Sequence, residues 1–219
     1  MRCLSRPLIR LGGTLLALGL LAWWPGTGEA HPHAWIDIDV VVRFGPDGTV
    51  TGLEESWLFD EFYSADTVGK GDPARIERLT KGIMRNLAGY GYFTRVDHGG
   101  RAVALAKPAA AAARMDGSRL RMTFFAPLAE PVVPSTAAPL TYAVFDPTYF
   151  IEMLHAERKD AVRLEGAPPS CAVQLHQPHP DPKAVVAAAT LDRTQSGGDG
   201  LGAQFAEKVE IRCPSLSRP

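Results

Sequence analysis

Residues 34–59 decide the fold: Ala34-Trp-Ile-Asp-Ile-Asp-Val-Val-Val-Arg-Phe44, then Gly45-Pro-Asp-Gly48, then Thr49-Val-Thr-Gly-Leu-Glu-Glu-Ser-Trp-Leu-Phe59. Ala34, Ile36, Ile38, Val40 and Val42 share one parity, while His33, Trp35, Asp37 and Asp39 share the other. Alternation with period two makes a strand with one face buried and one in water. Gly45 to Gly48 holds the residues of a tight turn, so Thr49 to Phe59 is the returning strand of a hairpin.

Downstream, Asp60 caps a short helical segment through Thr67, which Gly69 to Asp72 interrupts. Asp72-Pro73 then supplies an N-cap and a proline at the first helical position. Ile76, Leu79, Ile83, Met84 and Leu87 recur at helical spacing up to Gly89, which marks the main helix. Tyr90–Asp97 with Arg101–Ala106 reads as a second hairpin about Gly99-Gly100, and 109–115 with 119–126 as a third about Asp116-Gly117. Leu140–Phe145 is a further strand ending at Asp146-Pro147. Ala161–Leu164 and Cys171–Leu175 are short strands around a proline-rich turn, Lys183–Thr194 is an alanine-rich helix, Gly197–Gly200 a flexible tip, and Glu207–Cys213 the last strand. The expected fold class is α+β: antiparallel and strand-dominated, with one main internal helix and a short C-terminal helix. One sheet or two both accommodate these strands, and the Pro- and Ala-rich stretch 127–139 is where two lobes would divide.

Upstream, Arg2, Arg6 and Arg10 precede an apolar run from Leu11 to Trp24, too short for the ~20 residues of a spanning helix. Pro25-Gly26 breaks it, and Gly28-Glu29-Ala30 offers small residues at the positions a signal peptidase reads. Residues 1–30 therefore read as a cleavable signal, and 31–219 as a single exported domain in the periplasm. Removing the leader takes three of 23 basic residues and one of 24 acids, which leaves a mildly acidic chain near −3. No basic stripe exists to attract nucleic acid. Nothing in the mature chain is long and apolar enough to stay in a membrane.

Cys3 leaves with the leader, so Cys171 and Cys213 are the mature cysteines. An even pair in an exported protein reads as one disulfide, closing a loop of 41 intervening residues. The competing reading, two metal thiolates, lacks a CxxC or a histidine at finger spacing.

Cleavage after Ala30 would expose His31-Pro32-His33. The α-amine and imidazole of His31, with the imidazole of His33, form a nitrogen donor set suited to copper, nickel, cobalt or zinc. Pro32 has no amide proton to lose, so the usual amide-based N-terminal copper square cannot form, and other side chains must complete a site. Asp37 lies roughly 13 Å along the strand from His33, and Asp39 lies beyond reach. Asp60, Glu61, Asp146, Glu152 and His155 are the long-range candidates. Each has a plainer reading: a polar chain end for the histidines, helix N-terminal acids for Asp60 and Glu61, a turn cap for Asp146. No glycine-rich phosphate loop, nucleophile elbow or HExxH is present, so no catalytic residues are assigned and an enzyme is not expected.

Five segments together resemble a known bacterial family across the mature chain: His31–Asp37 (HPHAWID), Trp57–Ser64 (WLFDEFYS), Phe145–Ile151 (FDPTYFI), Asn86–Phe93 (NLAGYGYF) and Leu164–Cys171 (LEGAPPSC). It is a family of unknown function, often labelled the periplasmic component of an uncharacterised ABC-type transport system. Its members are often encoded beside nickel/cobalt-type permeases. The resemblance implies a part in divalent-metal transport alongside a membrane permease or ABC-type transporter. The motif histidines and acids fall on His31, His33, Asp37, Asp60, Glu61 and Asp146. Two alternatives stand beside metal handling. One is an interaction subunit that docks on a permease without metal. The other is a copper-dependent oxidoreductase, which would need His155 as a third imidazole.

Overall fold

The computed structural model describes residues 33–191, 195 and 197–214. The proposed signal and His31 lie outside the described residues, as do 192–194 of the expected C-terminal helix. Eleven strands form two sheets.

The first sheet grows from the hairpin. β1 (Ala34–Phe44) pairs antiparallel with β2 (Val50–Phe59), in a register that sets Ile36 opposite Phe59 and Ile38 opposite Trp57. β2 pairs with the long β6 (Arg119–Val132), and β6 with β5 (Ala111–Asp116). The other edge of β1 carries parallel partners within the antiparallel-rich sheets. β8 (Ile151–His155) and β9 (Val162–Glu165) both run parallel to it, β8 along residues 34–38 and β9 along 40–43. Parallel pairing needs a long crossover, and the chain between β1 and β8 supplies one.

The second sheet has the order β10 (Ala172–His176), β11 (Lys208–Arg212), β7 (Leu140–Val144), β3 (Thr94–His98), β4 (Arg101–Val103). β10 pairs with β11 and not with β9, because β9 is already spent on β1. Residues 133–139 carry the chain from β6 in the first sheet to β7 in the second. Strand β3 begins only at Thr94. The preceding Ala88–Phe93 is a tight helical turn in which Gly91, Tyr92 and Phe93 have positive φ.

α1 (Glu61–Val68) and α2 (Pro73–Leu87) start at the expected caps: Asp60 accepts from the Tyr63 N–H, and Asp72 from the Ala74 and Arg75 N–H groups. α3 spans Pro182–Thr190, capped by Asp181. Residues of both sheets share one apolar core, with Ile36, Ile38, Leu53 and Trp57 meeting Val96, Leu140, Tyr142 and Ile211.

That core holds an acid. Glu55 shares the inward parity of Leu53 and Trp57 and is fully buried. It accepts from Trp57 Nε1 (2.9 Å) and, across the sheets, from Thr94 Oγ1 (2.7 Å). Burial pushes its carboxyl up to about 7, against the opposing effect of the two hydrogen bonds. A carboxyl whose pKa rises on folding contributes stability in full below its unfolded value, near 4.5, and loses it as pH rises through the folded one. Glu55→Gln is therefore expected to stabilise the protein by about 3 kcal/mol at pH 8 and to leave it unchanged near pH 4. Urea unfolding of both proteins across that range measures it, and a constant difference would contradict the burial argument.

Candidate functional site

Residues 33–37, 57–64 and 145–151 are far apart in the chain but converge at the starting end of β1. The Trp35 N–H donates to Asp60 Oδ2 (3.0 Å), and the Asp60 N–H returns a bond to the Trp35 carbonyl (2.9 Å). The His33 N–H donates to the Phe150 carbonyl (2.9 Å), and the two rings lie 4.7 Å apart. The first described residue is thus held by backbone and ring together, directly after His31-Pro32.

Asp146 builds the loop that receives it. One carboxylate oxygen accepts from the Thr148 N–H and hydroxyl (both 2.9 Å), the other from the N–H groups of Phe150 and Ile151 (both 3.1 Å). A buried carboxylate with four donors fixes the turn in which Tyr149 takes positive φ. The C-terminal segment braces the same loop. Gly200 and Gly202 donate to the Pro147 carbonyl and Gly197 to that of Thr148, so this stretch is not the free tip its glycines imply. Gly202 has no room for a side chain, since a Cβ there would lie 1.8 Å from the Asp146 carbonyl oxygen. Asp146→Ala leaves three backbone donors, at Thr148, Phe150 and Ile151, without their acceptor and is expected to cost about 2–3 kcal/mol. It should also raise amide exchange at His33 and Ile151, whereas unchanged exchange would mean the loop holds itself.

The structure thus gives each motif acid a partner. Asp60 caps α1 and clamps β1. Asp146 organises its loop. Asp37 pairs with Arg119 (2.7 Å), whose guanidinium also bonds the Leu58 and Phe59 carbonyls. Glu61 accepts only from the Ser118 hydroxyl (2.6 Å) and stays exposed. Glu152 lies opposite Trp35 across the β1–β8 pair and accepts from the Tyr149 hydroxyl (3.1 Å). Among the described residues, no group of three or more His, Cys, Asp or Glu is arranged to hold a metal.

The same end of the sheet presents three large exposed side chains, Trp35 at 48%, Phe62 at 75% and Phe150 at 41%. Burying such rings is a main source of affinity at interfaces.

Sequence reasoning missed a buried polar link between the sheets. His155, at the end of β8, places Nδ1 2.8 Å from Glu207 Oε2 and Nε2 3.2 Å from the Tyr142 hydroxyl. The His155 N–H also donates to Glu207 Oε2, and Gln177 Nε2 donates to Oε1. Both ring nitrogens of His155 are occupied, so the third imidazole of a copper site is committed elsewhere. No spacing signal joins His155 to Glu207, and the alternation of 207–213 marks Glu207 only as a strand residue, whereas β11 begins at Lys208. The disulfide, in contrast, is where the cysteines put it: Cys171 and Cys213 are bonded across the β10–β11 pair.

These features define a two-sheet α+β domain whose motif residues fasten the start of its first strand. Residues 16–213 match the family described as "Protein of unknown function (DUF1007)", and the chain belongs to that family. An uncharacterized protein of Haemophilus influenzae is 30% identical over 210 residues, covering 92% of this chain and 96% of its own. An uncharacterized 15.5 kDa protein from the trpE 3′ region of Spirochaeta aurantia is 33% identical over 86 residues, 39% of this chain and 60% of its own. No solved structure matches. Among the described residues, no helix is long and apolar enough to cross a membrane.

Proposed function

We propose that the protein is a periplasmic accessory of a divalent transition-metal transporter, and that it takes its cargo ion at the mature N-terminus. The α-amine and imidazole of His31 and the imidazole of His33 are the nitrogen donors, fitted to nickel, cobalt, zinc or copper. The observation that supports this reading is the convergence of the three motif segments on the start of β1. Four carboxylate-anchored bonds and the His33–Phe150 contact fasten the residue that follows His31-Pro32. Fastening a chain end costs conformational entropy, and a terminus with no task needs none of it. Asp60 and Asp146 act through position, as backbone acceptors. Asp37 is closed by Arg119. Glu61, exposed with one hydroxyl partner, is the motif acid most open to completing the shell.

A second reading rests on the exposed Trp35, Phe62 and Phe150: the same end docks on a permease and binds no metal. Metal accumulation by cells separates the two. Under the metal reading, His31→Ala with His33→Ala abolishes protein-dependent uptake, while Trp35→Ala with Phe62→Ala weakens association with the permease. Under the docking reading, the double histidine variant retains full uptake, and that result would overturn the metal assignment.

A further inference from the structure

We propose that the groove between α2 and strand β5 binds an extended acidic peptide segment, which joins the first sheet as an additional strand on β5. This site is remote in sequence from the His31–His33 terminus, and the proposal stands independently of the metal reading.

The edge comes first. β5 ends its sheet, and among the described residues it pairs only with β6. Its outer side therefore carries a row of main-chain donors and acceptors without a strand partner. Native sheets ordinarily blunt such an edge with charge, proline or a covering element. Here Ala111-Ala112-Ala113 offers side chains too small to obstruct an incoming strand. The charged residues of β5 stand at its end: Arg114, its guanidinium 3.4 Å from the Met115 carbonyl, and Asp116, paired with Arg121 (2.8 Å).

The space beside the edge is shaped for a strand. Two adjoining cavities of about 560 Å³ and 450 Å³ run between α2 and β5 and share Thr80, Lys81 and Ala111. Their floor is apolar, with Met84, Ala88 and Tyr92 in the first and Ile76 and Met115 in the second. Six residues of β5 offer roughly 20 Å of edge at the rise of a strand. A helix flanking an unpaired edge strand is the arrangement in which peptides bind by strand addition. Main-chain hydrogen bonds then supply affinity, and alternate side chains enter the groove.

Charge selects the occupant. Lys81, Arg85 and Lys107 line the first cavity, and no acid does. The second is lined by Arg114, by Lys81 again and by one acid, Glu77, which pairs with Lys81 (2.6 Å), so Arg85, Lys107 and Arg114 are the cations beyond that pair. A peptide that alternates acidic with small apolar residues matches both the cations on the rim and the apolar floor. A flat anionic membrane would also meet the cations, but it cannot enter the groove or satisfy the edge of β5.

The test uses the full mature protein and a fluorescein-labelled heptapeptide of alternating Asp and Val, with a Lys/Val peptide as control. Fluorescence anisotropy at low salt should show saturable binding of the acidic peptide alone, and amide exchange at 111–116 should slow when it binds. Charge reversal at Lys81, Arg85 and Lys107 together (each →Glu) should weaken binding about tenfold or more. Should that variant fold poorly, Lys107→Glu alone lies between elements and should still weaken it about threefold. Three results would each overturn the proposal: no binding at millimolar peptide, binding that leaves exchange at 111–116 unchanged, or preference for phosphatidylglycerol vesicles over the peptide.

Discussion

Glu207→Ala is expected to destabilise the protein by about 2–4 kcal/mol, because it leaves the buried Nδ1 and backbone N–H of His155 without their shared acceptor. His155 belongs to the first sheet, whereas Tyr142 belongs to the second and Glu207 directly precedes its strand β11, so this cluster ties the sheets together. With Glu207 accepting, Nδ1 carries the proton and Nε2 accepts from the Tyr142 hydroxyl. Burial alone would raise the Glu207 carboxyl. The hydrogen bonds from the His155 ring and N–H and from Gln177 outweigh it and hold the carboxyl below its ordinary value. A carboxyl depressed on folding contributes its stability above the unfolded value, near 4.5, and loses it as pH falls through the folded one. Urea unfolding at pH 7 should show the full loss, and the gap between wild type and variant should close in acid. Glu207→Gln, which keeps the shape, should lose less. A cost under about 1 kcal/mol for the alanine variant would mean that the sheets hold together by apolar packing alone. Glu55 works in the opposite direction, its contribution falling as pH rises.

Opening the Cys171–Cys213 bond should remove up to about 4 kcal/mol, from the loop entropy of 41 enclosed residues. The native side of the balance makes the bond matter more. β10 is an edge strand whose five residues are all exposed, so it contributes little apolar burial and hangs on β11 and the cystine. Cys171→Ser with Cys213→Ser, or reduction of the wild type, should lower the melting temperature. It should also open 172–191 to protease before the first sheet unfolds. An unchanged melting temperature would place the whole stabilisation in the β10–β11 pairing. The bond also needs an oxidising compartment to persist, which supports the proposal of export.

Whatever depends on local period was readable in the chain. β1 and β2 announce themselves because one face meets the core and the other water, and Asp60 and Asp72-Pro73 mark helix starts for the same local reasons. The cysteine pairing followed from there being two. β8 was not legible, because Ile151–His155 buries only Met153 and His155 deeply and its parallel partner lies more than a hundred residues upstream. Glu55 was hidden by its charge, although its parity with Leu53 and Trp57 pointed inward. Asp60 and Asp146 both bond residues at or beside the start of β1. In Asp60 and Asp146, however, turn and cap chemistry takes the carboxylate oxygens, and only coordinates distinguish an acid that holds backbone from one that awaits a cation.

The fastened start of β1 is proposed to present a metal-binding N-terminus. After mass spectrometry has established the terminus of the exported protein, nickel, copper and zinc are titrated calorimetrically into that form and into one carrying a single extra residue before His31. The authentic form, beginning at His31, is expected to bind one ion and the extended form to lose most of the affinity, because its α-amine is displaced from the site. Absence of binding in both forms, or equal binding by both, would contradict it.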